Sequence, residues 1–494
     1  MIIKKHIAKA LFFSCLLLSA TGCKKFLNEE VYTQYDPSAF LKDKAGVDAL
    51  LTGAYARSRI VAYDSRNYTY LMNEFTTDIA FETGGGLERD AAPYIQFNWS
   101  TNDQFLNSFW VKMYGAIASA NTVLIVADDL KDLPAATVNG IKGEARFIRA
   151  ASYYFLYNIF GPTPIIEIPN GATPDQIEAI GKSTPRAAKD VFVKYMVDDL
   201  TFAAENLPVE ENPIGRATKG AALALLTKFY LHEKDWDKVI ETSKKVTDLN
   251  YYSLYADYKT LFSVAGEGNR EYIYRAPCIA QAGYHNNYMP HAFPPNYPIL
   301  PNWVNFGAQF RTYTAFYKTF EAADIRKDLF VTQYTDNSGQ QVQLVEDNAG
   351  NPLNNARSFK YVPDPVAVGE ANGNDIVYIR LADILLSRAE ALNEKMGPNP
   401  ESVDLMNMIR TRVKAPLKAV LDFTSKQELR DFLLAERGRE FYTEGLRRED
   451  LVRHGKFISS AQARGYNAKD YQVLFPVPQQ QIDANNKLEQ NPGY

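Results

Sequence analysis

The chain has 494 residues, 46% of them apolar, 13% aromatic and 23% charged, with a formal net charge of −4. That is ample for a large buried core. The mild acidity, with no Lys/Arg-rich tract interleaved with aromatics, excludes the electrostatic footprint that a nucleic-acid backbone requires, and three cysteines exclude a disulfide framework.

In chain order, residues 1–22 read as a secretory signal peptide. Lys4, Lys5 and Lys9 give a basic start, and Ala10 to Ala20 is an apolar run broken only by serine and cysteine. The run is about half of the ~20 residues a spanning helix needs. Ala20, Thr21 and Gly22 precede Cys23 as the small residues of a bacterial lipobox do, with alanine where leucine is usual. Cys23 is therefore expected to be the lipidated first residue of the mature chain. Several acyl chains, at about 0.8 kcal/mol per buried CH₂, hold a protein on a membrane without a spanning segment. Removing the signal takes away three lysines and no acid, so −4 becomes −7. Cys15 leaves with it, and Cys278 remains as the one free thiol of an exported chain.

Apolar residues at helical spacing dominate the mature chain. Residues 44–59 predict one helix. Phe109, Trp110, Met113, Tyr114, Ile117 and Leu124 form the stripe of a second. Phe147, Ala151, Tyr154 and Phe155 mark a third that Gly161-Pro162 stops, and the intervening loop around Leu133-Pro134 predicts an antiparallel pair. A long helix over 187–206 is followed by two more around the turn "HEKDW", where Ala217, Ala221, Ala222 and Ala224 allow close backbone approach and Trp236 and Val239 cover the joint. This is helix–turn–helix logic of the tetratricopeptide type, about 34 residues per unit. Residues 378–413 supply another such pair.

Between these helical regions the pattern changes. Residues 283–317 hold ten aromatics and five prolines, which predicts a stiff, irregular excursion lined with rings. Residues 331–375, with "TDNSGQQ" and "EDNAGNP", read as a hairpin and loops. Upstream, "DIAFETGGGLERD" at 78–90 is a second irregular loop, made flexible by Gly84, Gly85 and Gly86.

With these in place, "CKKFL", "FWVKMYGAIASANTVLIVADDL", "GEARFIRAASYYFLYNIFG", "YIRLADILLSRAEALNE", "MNMIRTRV", "LLAERGREFYTEGLRREDLVRHGKF" and "LFPVPQQQIDANNKLEQNPGY" together resemble the SusD/RagB family of Bacteroidetes outer-membrane lipoproteins. The likeness covers essentially all of the mature chain. Asn121, Arg146, Arg149, Glu390, Asn407, Arg410, Glu436, Arg437, Glu440, Gly445, Arg447, Asp450, Leu451 and Arg453 fall on the family pattern. Arg448 and Glu449 stand where many members carry aromatics, which leaves the local packing open.

The resemblance implies a mostly α, SusD-like right-handed helical scaffold with degenerate tetratricopeptide-type helix pairs and an irregular, partly β insertion. Residues 23–494 are expected to form one interlocked body, with helical parts at 23–249 and 376–494 around an aromatic-rich insertion at 250–375. The implied function is non-catalytic. It is to bind oligosaccharides at the outer face of the outer membrane, through a lipid anchor, and pass them to a SusC-like TonB-dependent transporter. A peptide ligand, or a surface glycoside hydrolase, are the alternatives. No cofactor, metal or nucleic acid is expected.

Other motifs weigh little. Glu436, Arg437, Glu440 and Glu444 sit at helical spacing with arginine neighbours, an arrangement suited to ion pairs bridging helices rather than to the two opposed carboxyls of glycoside cleavage. "IGKST" at 180–184 lacks the first phosphate-loop glycine, since position 176 is Gln176. His232 has no second histidine for a zinc motif, and His285 and His291 lack further ligands. No G-x-S-x-G elbow occurs, and Cys278 has no evident base.

The ligand site is expected where the ring-rich excursion meets the triglycine loop. Sugar rings have an apolar C–H face and a polar edge, so a binder needs flat rings and a few directed hydrogen bonds. Tyr284, Tyr288, Tyr297 and Trp303 are the expected platforms, stiffened by neighbouring prolines. Asp78, Glu82 and Arg89 are expected to supply hydrogen bonds, and Asn286 and Asn287 amide contacts. Trp99 and Trp110 are assigned to the core.

Overall fold

In the computed structural model, which describes residues 44–59, 68–307 and 309–494, helix dominates and the strands are short. The signal peptide and Cys23 lie outside the described residues. Helices α1 (Lys44–Arg59), α2 (Glu88–Ile95), α3 (Gln104–Asp128), α4 (Ala135–Phe160), α5 (Pro174–Ser183), α6 (Lys189–Asn206), α7 (Lys219–Glu233) and α8 (Trp236–Asp248) come first. Short α9 (Tyr288–Ala292) and α10 (Thr314–Tyr317) lie in the ring-rich region. The last third of the chain holds α11 (Leu381–Met396), α12 (Pro400–Arg412), α13 (Lys426–Phe441), α14 (Arg447–Arg453), α15 (Phe457–Ala463) and α16 (Gln479–Ala484). Strands β1 (Ala80–Glu82), β2 (Tyr272–Ala276), β3 (Phe310–Thr312), β4 (Phe330–Val331), β5 (Gln333–Thr335), β6 (Gln341–Gln343), β7 (Arg357–Ser358) and β8 (Ile376–Arg380) pair antiparallel in twos: β1–β3, β2–β8, β4–β7 and β5–β6.

Asp103 caps α3, accepting from the backbone N–H of Phe105 and Leu106 at 2.8 and 3.1 Å. The helix then buries Leu106, Phe109, Trp110, Met113, Ile117, Ala120 and Val123, a stripe at three-to-four spacing. It packs on α1 and α4, and α4 packs on α6. Arg149 of α4 ties this layer together, giving two 2.8 Å hydrogen bonds to Asp199 of α6 and one of 2.7 Å to Asn121 of α3.

The α7–α8 pair turns where expected. Lys234 takes a left-handed conformation and Asp235 caps α8 by accepting from Lys238 N–H. The small face of α7 permits close approach: a Cβ on Gly220 would lie 2.2 Å from the Tyr252 hydroxyl. Residues 378–380, expected to open the next helix pair, are strand, and α11 begins only at Leu381. The β-branched residues Ile376, Val377 and Ile379 favour a strand there, and it pairs with β2.

Charged side chains weld the last third of the chain to the insertion. Arg326, fully buried, reaches Glu436 at 2.7 Å and Glu440 at 3.0 Å on α13, and Asp324 at 2.6 Å. Arg380 of β8 joins Glu271, Glu440 and Glu444 at 2.6–2.8 Å. Burial alone would raise the Glu440 carboxyl, but Arg412, Arg380 and Arg326 hold it down to about 2. Arg448 and Glu449, the positions whose packing the sequence leaves open, are satisfied inside. Arg448 donates to the Asn158 carbonyl and lies over the rings of Phe457 and Phe475, and Glu449 accepts from Tyr154 and Asn158.

Candidate functional site

A three-residue ladder brings two distant loops together. β1 pairs with β3 in the register Ala80↔Thr312, Phe81↔Arg311 and Glu82↔Phe310, and Phe81 stacks on Tyr313 at 4.6 Å. The loop leaving β1 carries the three glycines, and the segment reaching β3 is the ring-rich excursion. Gly84 and Gly85 have φ of 84° and 72°, a left-handed conformation that glycine adopts without strain. The first residue of α2 ties the loop back, since Glu88 accepts from Gly84 N–H at 3.0 Å and from the Thr83 hydroxyl at 3.2 Å.

The rings sort into two groups. Tyr288, expected as a platform, is 3% exposed; it stacks with Tyr70 at 5.6 Å and donates to the Ser358 carbonyl at 3.1 Å. It is a core ring, and a sugar cannot reach it. Tyr297 and Trp303 are half-buried, and each lies nearly parallel to buried Phe293, at 5.8 and 5.4 Å. Trp303 is further fixed by donating from Nε1 to the Asp364 carbonyl at 2.8 Å. Tyr334, from the β5–β6 hairpin, lies 5.5 Å from Tyr297 and donates to the Pro295 carbonyl. Tyr284 is 54% exposed with Arg59 over its ring, and Phe306 is 41% exposed.

The polar candidates divide likewise. Asn286 is buried, spanning Asn374 and Tyr288 N–H with its side chain and Asn372 with its backbone, so it holds the insertion together rather than facing a ligand. Glu82 is also buried. Asp78 makes two 2.8 Å hydrogen bonds with Arg447 of α14; burial works against its charge, but Arg447 and Arg464 hold its carboxyl below the usual range. Asn286 and Glu82 are corrections, because burial withholds them from a ligand; Asp78 keeps about one third of its side chain exposed beside Arg447. Asn287 is half-buried with no hydrogen-bond partner on Oδ1, and the Arg89 side chain is 87% exposed.

Of the candidates, half-buried Tyr297 and Trp303, exposed Tyr284 and Arg89, and half-buried Asn287 keep solvent-facing surface, and Phe306 is exposed beside them in sequence. Sequence reasoning passes over Phe306, although it lies within the counted aromatic segment, and Tyr334, whose approach depends on a distant hairpin. The His291 ring is buried, stacking on Phe310 at 5.0 Å. Among the described residues no group of three or more His, Cys, Asp or Glu is placed to hold a metal ion. Cys278 is buried, which pushes its thiol up to about 12.

A family model described as the SusD family matches residues 302–494, and one described as starch-binding, associating with outer membrane, matches residues 25–231. SusD-like protein P2 of Formosa agariphila is 26% identical, covering 98% of this chain and 99% of its own length. The starch-binding protein SusD of Bacteroides thetaiotaomicron is 23% identical, over 86% of this chain and 85% of its own. Among solved structures, a SusD superfamily protein from Parabacteroides distasonis has a TM-score of 0.76 at 24% identity, covering 91% of this chain and 99% of that one. A laminarin binding SusD-like protein has a TM-score of 0.76 at 22% identity, covering 92% and 100%.

Proposed function

We propose, on the premise that this chain belongs to the SusD family, that it is a non-catalytic glycan-binding lipoprotein of the outer membrane. It captures oligosaccharides and hands them to a TonB-dependent transporter. The observation that carries the reading is the shelf of Tyr297 and Trp303 on buried Phe293, in the same ring-rich segment that β3 ties to β1. Fixed rings offer sugar C–H faces a platform whose ordering cost is already met by folding. The names of relatives that bind starch and laminarin support a carbohydrate ligand. Binding without cleavage is supported by the acids at helical spacing: Glu436 and Glu440 are buried among arginines and cannot flank a glycosidic bond. A protein tethered by lipid has no channel of its own, which is the physical motive for a transporter partner.

An array of glycans and peptides probed with the mature protein tests the ligand class, and binding only to peptides would overturn it. Tyr297→Ala then tests the place. Loss of one stacking ring, worth roughly 1 kcal/mol beyond burial, should weaken binding to the best array glycan several-fold in a variant that still melts cooperatively. Wild-type affinity in the folded variant would move the site elsewhere.

A further inference from the structure

The backbone ladder between β1 and β3 ends in one long 3.4 Å contact, from Thr83 N–H to the Gln309 carbonyl. Beyond it the Gln309 side chain lies against the loop, which is also tied by Glu88. Gln309 is buried, and its amide points two ways. Its Oε1 accepts from His291 Nδ1, which must be the donor because that oxygen can only accept. Its Nε2 occupies the space a side chain on Gly85 would need: a Cβ there would lie 2.9 Å away. His291 in turn packs between Phe310 at 5.0 Å and exposed Phe306 at 4.9 Å. A continuous row thus runs from the exposed ring of Phe306 through His291 and Gln309 to the middle glycine of the loop.

We propose that Gln309 is the positioning residue that seats the triglycine loop beside the ring-rich segment, and that this seat sets the affinity of the ligand site. The glycine pattern fits that part. Gly85 combines φ of +72° with the Gln309 contact, so any side chain there is strained and displaces the amide from His291. Gly86 has nothing within 4 Å of its Cβ position and no left-handed φ, so a methyl group there is accommodated. Two neighbouring glycines thus provide a matched pair, one that breaks the seat and one that spares it.

The inference rests on the glycan-binding reading, so its test has an arm that needs no ligand. Hydrogen–deuterium exchange of a peptide spanning residues 81–96 is measured in the ligand-free mature protein, for wild type, Gln309→Ala, Gly85→Ala and Gly86→Ala, with melting temperatures as the folding control. Exchange at residues 83–87 should rise about tenfold in Gln309→Ala and Gly85→Ala, no further in the double variant, and stay near wild type in Gly86→Ala. Affinity for laminarin, soluble starch and the best array glycan should fall about tenfold in the same two variants. Unchanged exchange in Gln309→Ala, or equal exchange in Gly85→Ala and Gly86→Ala, would overturn the proposal. So would faster exchange with wild-type affinity. Wild type binding no glycan at all would instead overturn the functional reading, with the exchange arm still judging Gln309.

Discussion

At the scale of single residues, the Glu74 carboxyl sits where its charge is unwelcome. Glu74 is fully buried; one oxygen accepts from Gly445 N–H at 2.9 Å, and the other has no hydrogen-bond partner. Burial pushes its carboxyl up to about 8, against the pull of Lys360 and Arg447 and with the push of Glu444. A raised folded value means that the folded state binds the proton more tightly than the unfolded one. Its stabilising share is therefore complete below about 4.5 and is lost as pH rises through about 8. Glu74→Gln should be nearly neutral at pH 5 and stabilise the protein by roughly 1–3 kcal/mol at pH 8. Urea unfolding at the two pH values measures it, and an equal effect at both would contradict the assignment.

At the scale of elements, helices are legible in the sequence and strand pairs are not, for a physical reason. The stripe from Phe109 to Leu124 and the "HEKDW" turn are local patterns, and they form α3 and the α7–α8 joint. The β5–β6 hairpin is also legible, because Asp336 closes its turn by accepting from Ser338 and Gln340 N–H. Pairings of β1 with β3 and β2 with β8 join residues about a hundred positions apart or more, and no local period announces them. The same distance hides why Tyr288, Asn286 and Glu82 are buried while Phe306 is not. The charges on α13 are the bridges their spacing suggests: they tie that helix to Arg326, Arg380, Arg410 and Arg412. Arg326→Met should cost about 3–5 kcal/mol, because it removes one counter-charge from two fully buried glutamates. Thermal and urea unfolding report it, and an unchanged midpoint would mean that the remaining arginines suffice.

At the scale of the whole molecule, one core runs from Tyr70 to Leu488 and draws on the helical parts and on the ring-rich segment alike. Such a body presents the proposed shelf of Tyr297 and Trp303 as an extension of its own interior, which is why those rings are half-buried. Attachment through Cys23 is a proposal that rests on the sequence, since that residue lies outside the described residues. Cys23→Ser should release the protein from membranes after fractionation of cells lacking the transporter, and retention equal to wild type would contradict a lipid anchor there. Glycan capture without cleavage is tested most directly by titrating the mature protein calorimetrically with its best array glycan and then assaying the recovered ligand for new reducing ends. The expected result is a saturable heat that Tyr297→Ala weakens several-fold, with the ligand recovered intact; new reducing ends, or no saturable heat with any glycan, would contradict it.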